Sequence, residues 1–183
     1  YGSITAAIVR EDGSDIVELE EAYGLTLPGS GLPTGLAAKM GRAFWTLGYL
    51  NEHHAHADDF ADRPLPYRVY LNKAFNDDGI ELSYILPTDI YAAVGGGSFR
   101  GDDFPLGGGD GEILRQWSAY ARIGGDIGLN QSWRAGGYML SGNPTGGRTS
   151  NEDAVTFIGD SDLLVADFRY TLAPTGNPNA QEV

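Results

Sequence analysis

An alternation of apolar and polar residues after Ile16 is the feature that most constrains how this chain folds. Its apolar members share one phase: Val17, Leu19, Tyr23, Leu25 and Leu27. Because successive side chains of a β-strand point to opposite faces, the pattern predicts a strand with one apolar and one polar face. A second arm over residues 36–44 alternates in the same way, and a Pro- and Gly-rich run over 28–35 separates the two. The pair predicts an antiparallel hairpin.

The same kind of pattern recurs along the chain and predicts eight strands. They are Gly2–Arg10, Ile16–Leu27, Leu36–Phe44, Gly79–Leu86, Asp89–Gly96, Glu112–Gly125, Gln131–Leu140 and Asp162–Leu172. The 183 residues include 27 Gly and 10 Tyr, a composition that favours strands and turns. Apolar faces set against charged faces are typical of strands with lipid outside and water inside. The predicted fold is all-β, an antiparallel transmembrane β-barrel or part of one, in a single domain over residues 1–183.

The connections between these strands fall into two sets. Short reversals are expected at 28–35, 87–88 and 128–130, and long polar loops at 45–78, 98–111 and 141–161. The apolar residues of 67–74 have helical spacing, so a short helix is expected there, inside the first long loop, rather than a ninth strand. With that helix, the short turns lie at one end of the sheet and the long loops at the other, which is the layout of an outer-membrane barrel.

Composition also excludes several classes of function. A net charge of -13 argues against nucleic-acid binding. The absence of Cys excludes disulfides and thiolate metal sites. No apolar run is long enough for a transmembrane helix. No serine stands in a signature of nucleophilic catalysis, so the chain is not expected to be an enzyme.

Two adjacent carboxylates interrupt the pattern of the second strand. Glu21 falls in the apolar phase, so a β-bulge or a patch covered by protein is needed to accommodate it. Glu20 and Glu21 are expected on opposite faces of the strand, where they cannot act on one substrate.

Charged residues in the polar phase of the strands are the candidate pore lining. They are Glu18, Glu20, Lys39, Glu81, Arg122, Arg134, Asp167 and Arg169. In a water-filled lumen such residues set ion preference. The alternative is structural salt-bridging across a filled barrel, which is the state of a closed barrel of only eight strands. The loop over 45–78 is the best candidate to fold inward, because it is the longest.

A histidine-rich segment follows the third strand and is the candidate metal site. All three histidines of the chain lie within Glu52–Asp59. The candidate ligands are Glu52, His54, His56 and Asp59, because imidazole and carboxylate groups bind zinc and similar divalent transition metals. The alternative is a surface loop whose histidines hydrogen-bond to neighbouring carboxylates.

Four runs of the chain resemble a known family. They are residues 19–60, 76–91, 123–138 and 162–178, with 48–52, 54–56, 77–79, 87–89 and 174–178 as the best markers. These runs resemble Gram-negative outer-membrane porin-like barrels, including zinc-regulated or receptor-like outer-membrane proteins. The hairpin with its Gly-Leu turn is also similar to phosphate-selective porins.

The resemblance implies a β-barrel in the outer membrane of a Gram-negative bacterium, surrounded by lipid, that passes small hydrophilic solutes or ions. It also implies further strands beyond the residues given. Basic lumen residues are few beside 25 acidic residues, so phosphate selectivity is not expected. Two alternatives stay open: a zinc-type metal-capturing surface protein, and a soluble or assembled β-rich structural protein. A homo-oligomer is compatible with the pattern.

Overall fold

The structure, a computed structural model, describes residues 1–11, 14–27, 29–52, 54, 58, 62–71, 74–101, 116–142, 148–149, 156–157 and 159–173. Within these ranges the protein is all-β, with eight antiparallel strands in one sheet, a two-stranded ribbon and one short α-helix. The predicted fold class is therefore confirmed as far as an antiparallel all-β fold. No helix in this part of the chain has the length and apolarity needed to cross a membrane.

The strands follow one another closely along the sequence. The main sheet contains β1 (Gly2–Glu11), β2 (Ser14–Leu25), β3 (Leu36–Phe44), β4 (Asn76–Ile85), β5 (Tyr91–Phe99), β6 (Gln116–Ile127), β7 (Gln131–Gly142) and β10 (Ser161–Leu172). Between β7 and β10, β8 (Arg148–Thr149) pairs with β9 (Thr156–Phe157). A 3-10 turn (Tyr49–Glu52) and helix α1 (Leu65–Leu71) lie between β3 and β4.

All eight predicted strands are confirmed, with β3 matching at both ends. The helix expected at 67–74 is present over Leu65–Leu71. The ribbon of β8 and β9 was not predicted, because two residues per strand are too few to show alternation. The sheet order is β1-β2-β3-β4-β5-β6-β7-β10, so β1 and β10 form its two edges and the sheet is open.

The predicted separation of turns and loops is confirmed for the six connections named in the prediction. Because neighbouring strands are antiparallel, successive connections lie at alternate ends of the sheet. The connections over 26–35, 86–90 and 128–130 share one end, and those over 45–75, 100–115 and 143–160 share the other. Glu11 of β1 and Ser14 of β2 pair at the end of the long loops, so the short connection between β1 and β2 departs from the predicted layout.

The burial of the two faces of the sheet is the reverse of that in a soluble protein. Large apolar side chains of the outer face are exposed: Met40 60%, Leu82 50%, Val94 44%, Trp117 46%, Ile123 46%, Leu164 74% and Phe168 69%. Polar side chains on the inner face are buried: Glu81 6%, Gln116 1% and Ser118 5%. A soluble sheet protein buries its apolar face and exposes its polar one. Here the apolar face is exposed, and protein covers the polar one.

The hydrophobic core lies on the inner face, beneath the connection between β3 and β4. It contains Ala43, Trp45, Leu47, Tyr67, Leu71, Phe75, Phe99, Tyr120, Tyr138 and Leu140. The ring centroid of Phe99 lies 5.0 Å from that of Trp45 and 4.9 Å from that of Phe75. The first long loop therefore folds onto the polar face, as predicted.

A β-bulge in β2 resolves the conflict at Glu21. Thr5 pairs with Glu21 and Ala6 pairs with Leu19, so Glu20 is the extra residue. The bulge confirms one of the two arrangements predicted for Glu21. The prediction that Glu20 and Glu21 lie on opposite faces is wrong. Glu20 and Glu21 do not lie on opposite faces, because their carboxylates both approach the ring of His54, at 3.8 and 3.5 Å.

Candidate functional site

Residues 44–52, here called the inner strap, begin at the last residue of β3 and cross the polar face of the sheet. At Gly48 the strap has a φ of 78°, a left-handed conformation that glycine adopts without strain. A Cβ atom at Gly48 would lie 2.8 Å from Tyr67 Oη and 3.0 Å from Val165 Cγ1. Glycine therefore lets the strap backbone run close to β10.

Asn51 holds the strap in its fold. The side chain is 1% exposed. Its Nδ2 donates to Trp45 O at 2.7 Å and to Phe75 O at 2.9 Å, and its Oδ1 accepts from Phe75 N at 2.7 Å. One amide thus bonds to three backbone groups, and two of them, Trp45 O and Phe75 N, would otherwise be buried without partners.

The start of the strap is bound to β3 and β4. Glu81, buried on β4, accepts from Thr46 N at 3.2 Å and from Thr46 Oγ1 at 2.9 Å. Lys39 Nζ donates to Phe44 O at 2.8 Å and lies 4.5 Å from the ring centroid of Tyr23 and 5.1 Å from that of Trp45. Cation–π contacts therefore replace part of the hydration of this ammonium group.

The middle of the strap is bound to β10 at the far edge of the sheet. Tyr49 N donates to Asp167 Oδ2 at 2.6 Å, and Tyr138 Oη donates to the same oxygen at 3.2 Å. The guanidinium carbon of Arg169 lies 4.5 Å from the ring centroid of Tyr49. One strap residue therefore contacts two charged side chains of β10, Asp167 and Arg169.

The end of the strap is bound to β6 and β7 through Glu52. Arg122 Nη1 donates to Glu52 Oε1 at 2.6 Å, and Arg134 Nη2 donates to Glu52 Oε2 at 2.8 Å. The three side chains are between 15% and 26% exposed. Each oxygen of one carboxylate therefore has its own guanidinium partner, in surroundings that are mostly shielded from water.

Apart from Glu18, the charged residues predicted to line a pore contact the strap or His54. They are Glu20, Lys39, Glu81, Arg122, Arg134, Asp167 and Arg169. Glu18 is exposed on β2, beyond the residues 22–25 that pair with β3. Sequence reasoning missed the strap residues themselves. The sequence signal that could have indicated the strap is Gly-Tyr-Leu-Asn-Glu at 48–52. Its glycine adopts a left-handed conformation, and its asparagine binds buried backbone groups.

The candidate metal ligands are described only in part. His56 and Asp59 lie outside the described residues. Glu52 binds two arginines, and His54 lies between Glu20 and Glu21. Among the residues that the structure describes, no three His, Cys, Asp or Glu side chains form a group suited to a metal ion. The metal site stays a prediction.

A polar cavity of about 290 Å³ lies between the strap and the neighbouring strands β2 and β3. Glu21, Lys39, Thr46, Glu52 and His54 are among its lining residues. Polar cavities of this size hold several water molecules. The space beside the strap is thus suited to water and small polar solutes.

Part of the chain is similar to an uncharacterized protein of Aquifex aeolicus (strain VF5). The two are 34% identical over 93 residues, which is 51% of this chain and 19% of that protein. The chain therefore matches about a fifth of its relative's length. No family model matches the chain. No solved structure matches it either.

Proposed function

We propose that the chain forms wall strands of an outer-membrane, porin-like β-barrel through which small hydrophilic solutes or ions pass. The inverted sheet carries this proposal. Its outer face exposes Leu164 by 74% and Phe168 by 69%, while Glu81 on the inner face is 6% exposed. Exposed apolar surface of this extent is costly in water and favourable in hydrocarbon.

The dimensions of the outer face support the same proposal. Apolar residues run along β10 from Leu164 to Leu172, and eight residue steps cover about 27 Å along the strand. Strands of an outer-membrane barrel tilt by about 35–45°, so this length covers roughly 19–22 Å of an apolar band that is about 25 Å tall. On β3 and β4 the band ends at the pair of Arg42 and Asp78, whose closest atoms lie 2.9 Å apart. A charged pair at this level suits the boundary between hydrocarbon and headgroups.

The inner strap supports the idea of restricted passage. Charged residues of both signs cover the inner face, and the strap lies across them. A solute moving along this face meets the strap and its polar cavity. Ion preference then depends on which of these charges remain accessible.

Lipid contact is tested with two single-tryptophan variants reconstituted into liposomes. Trp45→Phe with Trp133→Phe retains Trp117 on the outer face, and Trp117→Phe with Trp133→Phe retains Trp45, which is 1% exposed. Lipids brominated in their acyl chains should quench Trp117 strongly and leave Trp45 nearly unchanged. Folding of both variants is checked by the circular dichroism of strands.

Channel activity is tested separately in planar bilayers, where the protein should give discrete conductance steps. Unquenched Trp117 in the folded protein would overturn the membrane proposal. So would a folded, monomeric protein in buffer without detergent, which would favour the soluble alternative.

A further inference from the structure

We propose that Arg122 and Arg134 form a subsite for the carboxylate of a small organic acid. Glu52 occupies this subsite as a built-in competitor until a solute takes its place. The inference rests on the proposed function, because it requires that solutes reach the inner face.

The geometry of the Glu52 contacts defines the subsite. The oxygens of Glu52 lie 2.6 Å from Arg122 Nη1 and 2.8 Å from Arg134 Nη2. The two arginines stand on adjacent strands, where Arg122 pairs with Gly136 and Arg134 pairs with Gly124. A carboxylate from a solute has the same two oxygens in one plane, so it can make the same pair of bonds.

The charge of this region favours an anion. Arg169 on β10 is the direct partner of Arg134 on β7. Like charges directly opposite each other destabilise a sheet unless a counter-charge lies between them. Buried Nε atoms of Arg122 and Arg169 have no hydrogen-bond acceptor among the described residues. The arginines of this region therefore have more N–H donors than Glu52 accepts from.

The exchange of Glu52 for a solute requires little movement. Asn51, directly before it, is held by three hydrogen bonds, and Tyr49 N is bound to Asp167. Glu52 is the last residue of the 3-10 turn, and its side chain is 25% exposed. Rotation of one side chain therefore opens the subsite while the strap backbone stays in place.

The cluster favours a singly charged carboxylate over a phosphate dianion. Asp167 stands two residues from Arg169 on β10, and Glu52 stays attached to the strap after it leaves the arginines. Two carboxylates near the bound anion repel a second negative charge more strongly than a single one. Two guanidinium contacts also satisfy both oxygens of a carboxylate, whereas phosphate brings further oxygens that need donors.

The subsite is tested by calorimetric titration of acetate into the folded protein in detergent micelles. In Glu52→Gln the competitor is removed, so acetate should bind more tightly than in the wild type, by on the order of tenfold. Glu18→Gln, a matched loss of one carboxylate on exposed β2, should leave the acetate affinity unchanged. Adding Arg134→Gln to Glu52→Gln should abolish binding. If Glu52→Gln fails to fold, Glu52→Ala is tested with the same expectation.

Inorganic phosphate is the second probe and should bind Glu52→Gln more weakly than acetate. Equal acetate affinity in the wild type and Glu52→Gln would overturn the subsite, and tighter binding of phosphate would overturn the carboxylate class. The titration needs no membrane, so its outcome is separable from that of the proposed function. Acetate binding without bilayer conductance would overturn the channel alone, and conductance without acetate binding would overturn the subsite alone.

Discussion

The backbone N–H of Tyr49 donates a 2.6 Å hydrogen bond to the carboxylate of Asp167, a residue 118 positions further along the chain. This bond joins the loop after β3 to the last strand of the sheet. It forms only when the strands between them are assembled. The strap is therefore a tertiary element, whose position depends on the whole sheet rather than on its own sequence.

Reversing the charge of either arginine that binds Glu52 should change ion selectivity. Arg122→Glu or Arg134→Glu replaces a cation with an anion and leaves Glu52 facing a like charge. Permeability to cations should rise relative to that to anions. The measurement is the reversal potential across a planar bilayer under a salt gradient. Arg68→Glu, on helix α1 with a side chain 53% exposed, is the matched control and should leave the potential unchanged.

Asn51→Ala should loosen the strap. It removes the partners of Trp45 O and of Phe75 N, whereas Phe75 O keeps its bond from Trp45 N, and each unpaired buried group costs about 1–3 kcal/mol. Denaturant unfolding in detergent should show a lower midpoint, and limited proteolysis should cut the loop faster. Asn76→Ala removes a bond to Glu20 O and should have a smaller effect. Equal midpoints for Asn51→Ala and the wild type would contradict the role of this amide.

Gly41→Ala should disturb the pairing of β2 with β3. Gly41 has a φ of 123°, and a Cβ there would collide with Ala22 O and lie 2.8 Å from Tyr23 Cα. The strain should destabilise the fold by about 1–3 kcal/mol. Gly137→Ala is the control, because its Cβ would meet no atom within 4 Å. Thermal unfolding of the two variants should separate them, and similar midpoints would argue against a strained backbone at Gly41.

Stability should fall at alkaline pH because of Tyr67. Burial, together with the negative charge of Asp167, raises the pKa of Tyr67 to about 12 from its ordinary 10.0. Since the folded state holds the proton more tightly, the stabilisation is complete below pH 10 and is lost as the pH rises towards 12. Unfolding midpoints measured across this window should decline less in Tyr67→Phe. Tyr70→Phe, exposed on the same helix, should follow the wild type.

The strands were predictable because each has two faces in contact with different surroundings. The alternation of apolar and polar residues in a segment such as 162–172 can be read from that segment alone. Glu21 lies among the apolar positions of its strand, and this indicates a bulge. The consequence of that bulge was missed. An extra residue at Glu20 resets the phase, so the two adjacent carboxylates reach one histidine.

The strap contacts could not be read from the sequence. Glu52 was assigned to a metal site because His54 follows it, yet its nearest partners lie 70 and 82 residues away. Nothing local distinguishes a carboxylate that binds arginines across a sheet from one that binds a metal beside it. The candidate pore charges were located by phase alone, but their pairing required the register of six strands.

The strap also limits the shape of the sheet. It contacts β2 through Glu21 at Phe44 N and β10 through Asp167 at Tyr49 N. In a flat sheet six strand spacings would separate those two strands by about 29 Å. Five residues extend over about 18 Å at most, so even with the Glu21 and Asp167 side chains included they would span this width only when fully extended, whereas the strap is bent at residues 47–48. The strap therefore connects β2 to β10 across the concave side of a curved sheet. Flattening the sheet would break the bonds of Phe44 N to Glu21 and of Tyr49 N to Asp167. The length of this one loop therefore sets how far apart β2 and β10 can lie across the concave side of the sheet.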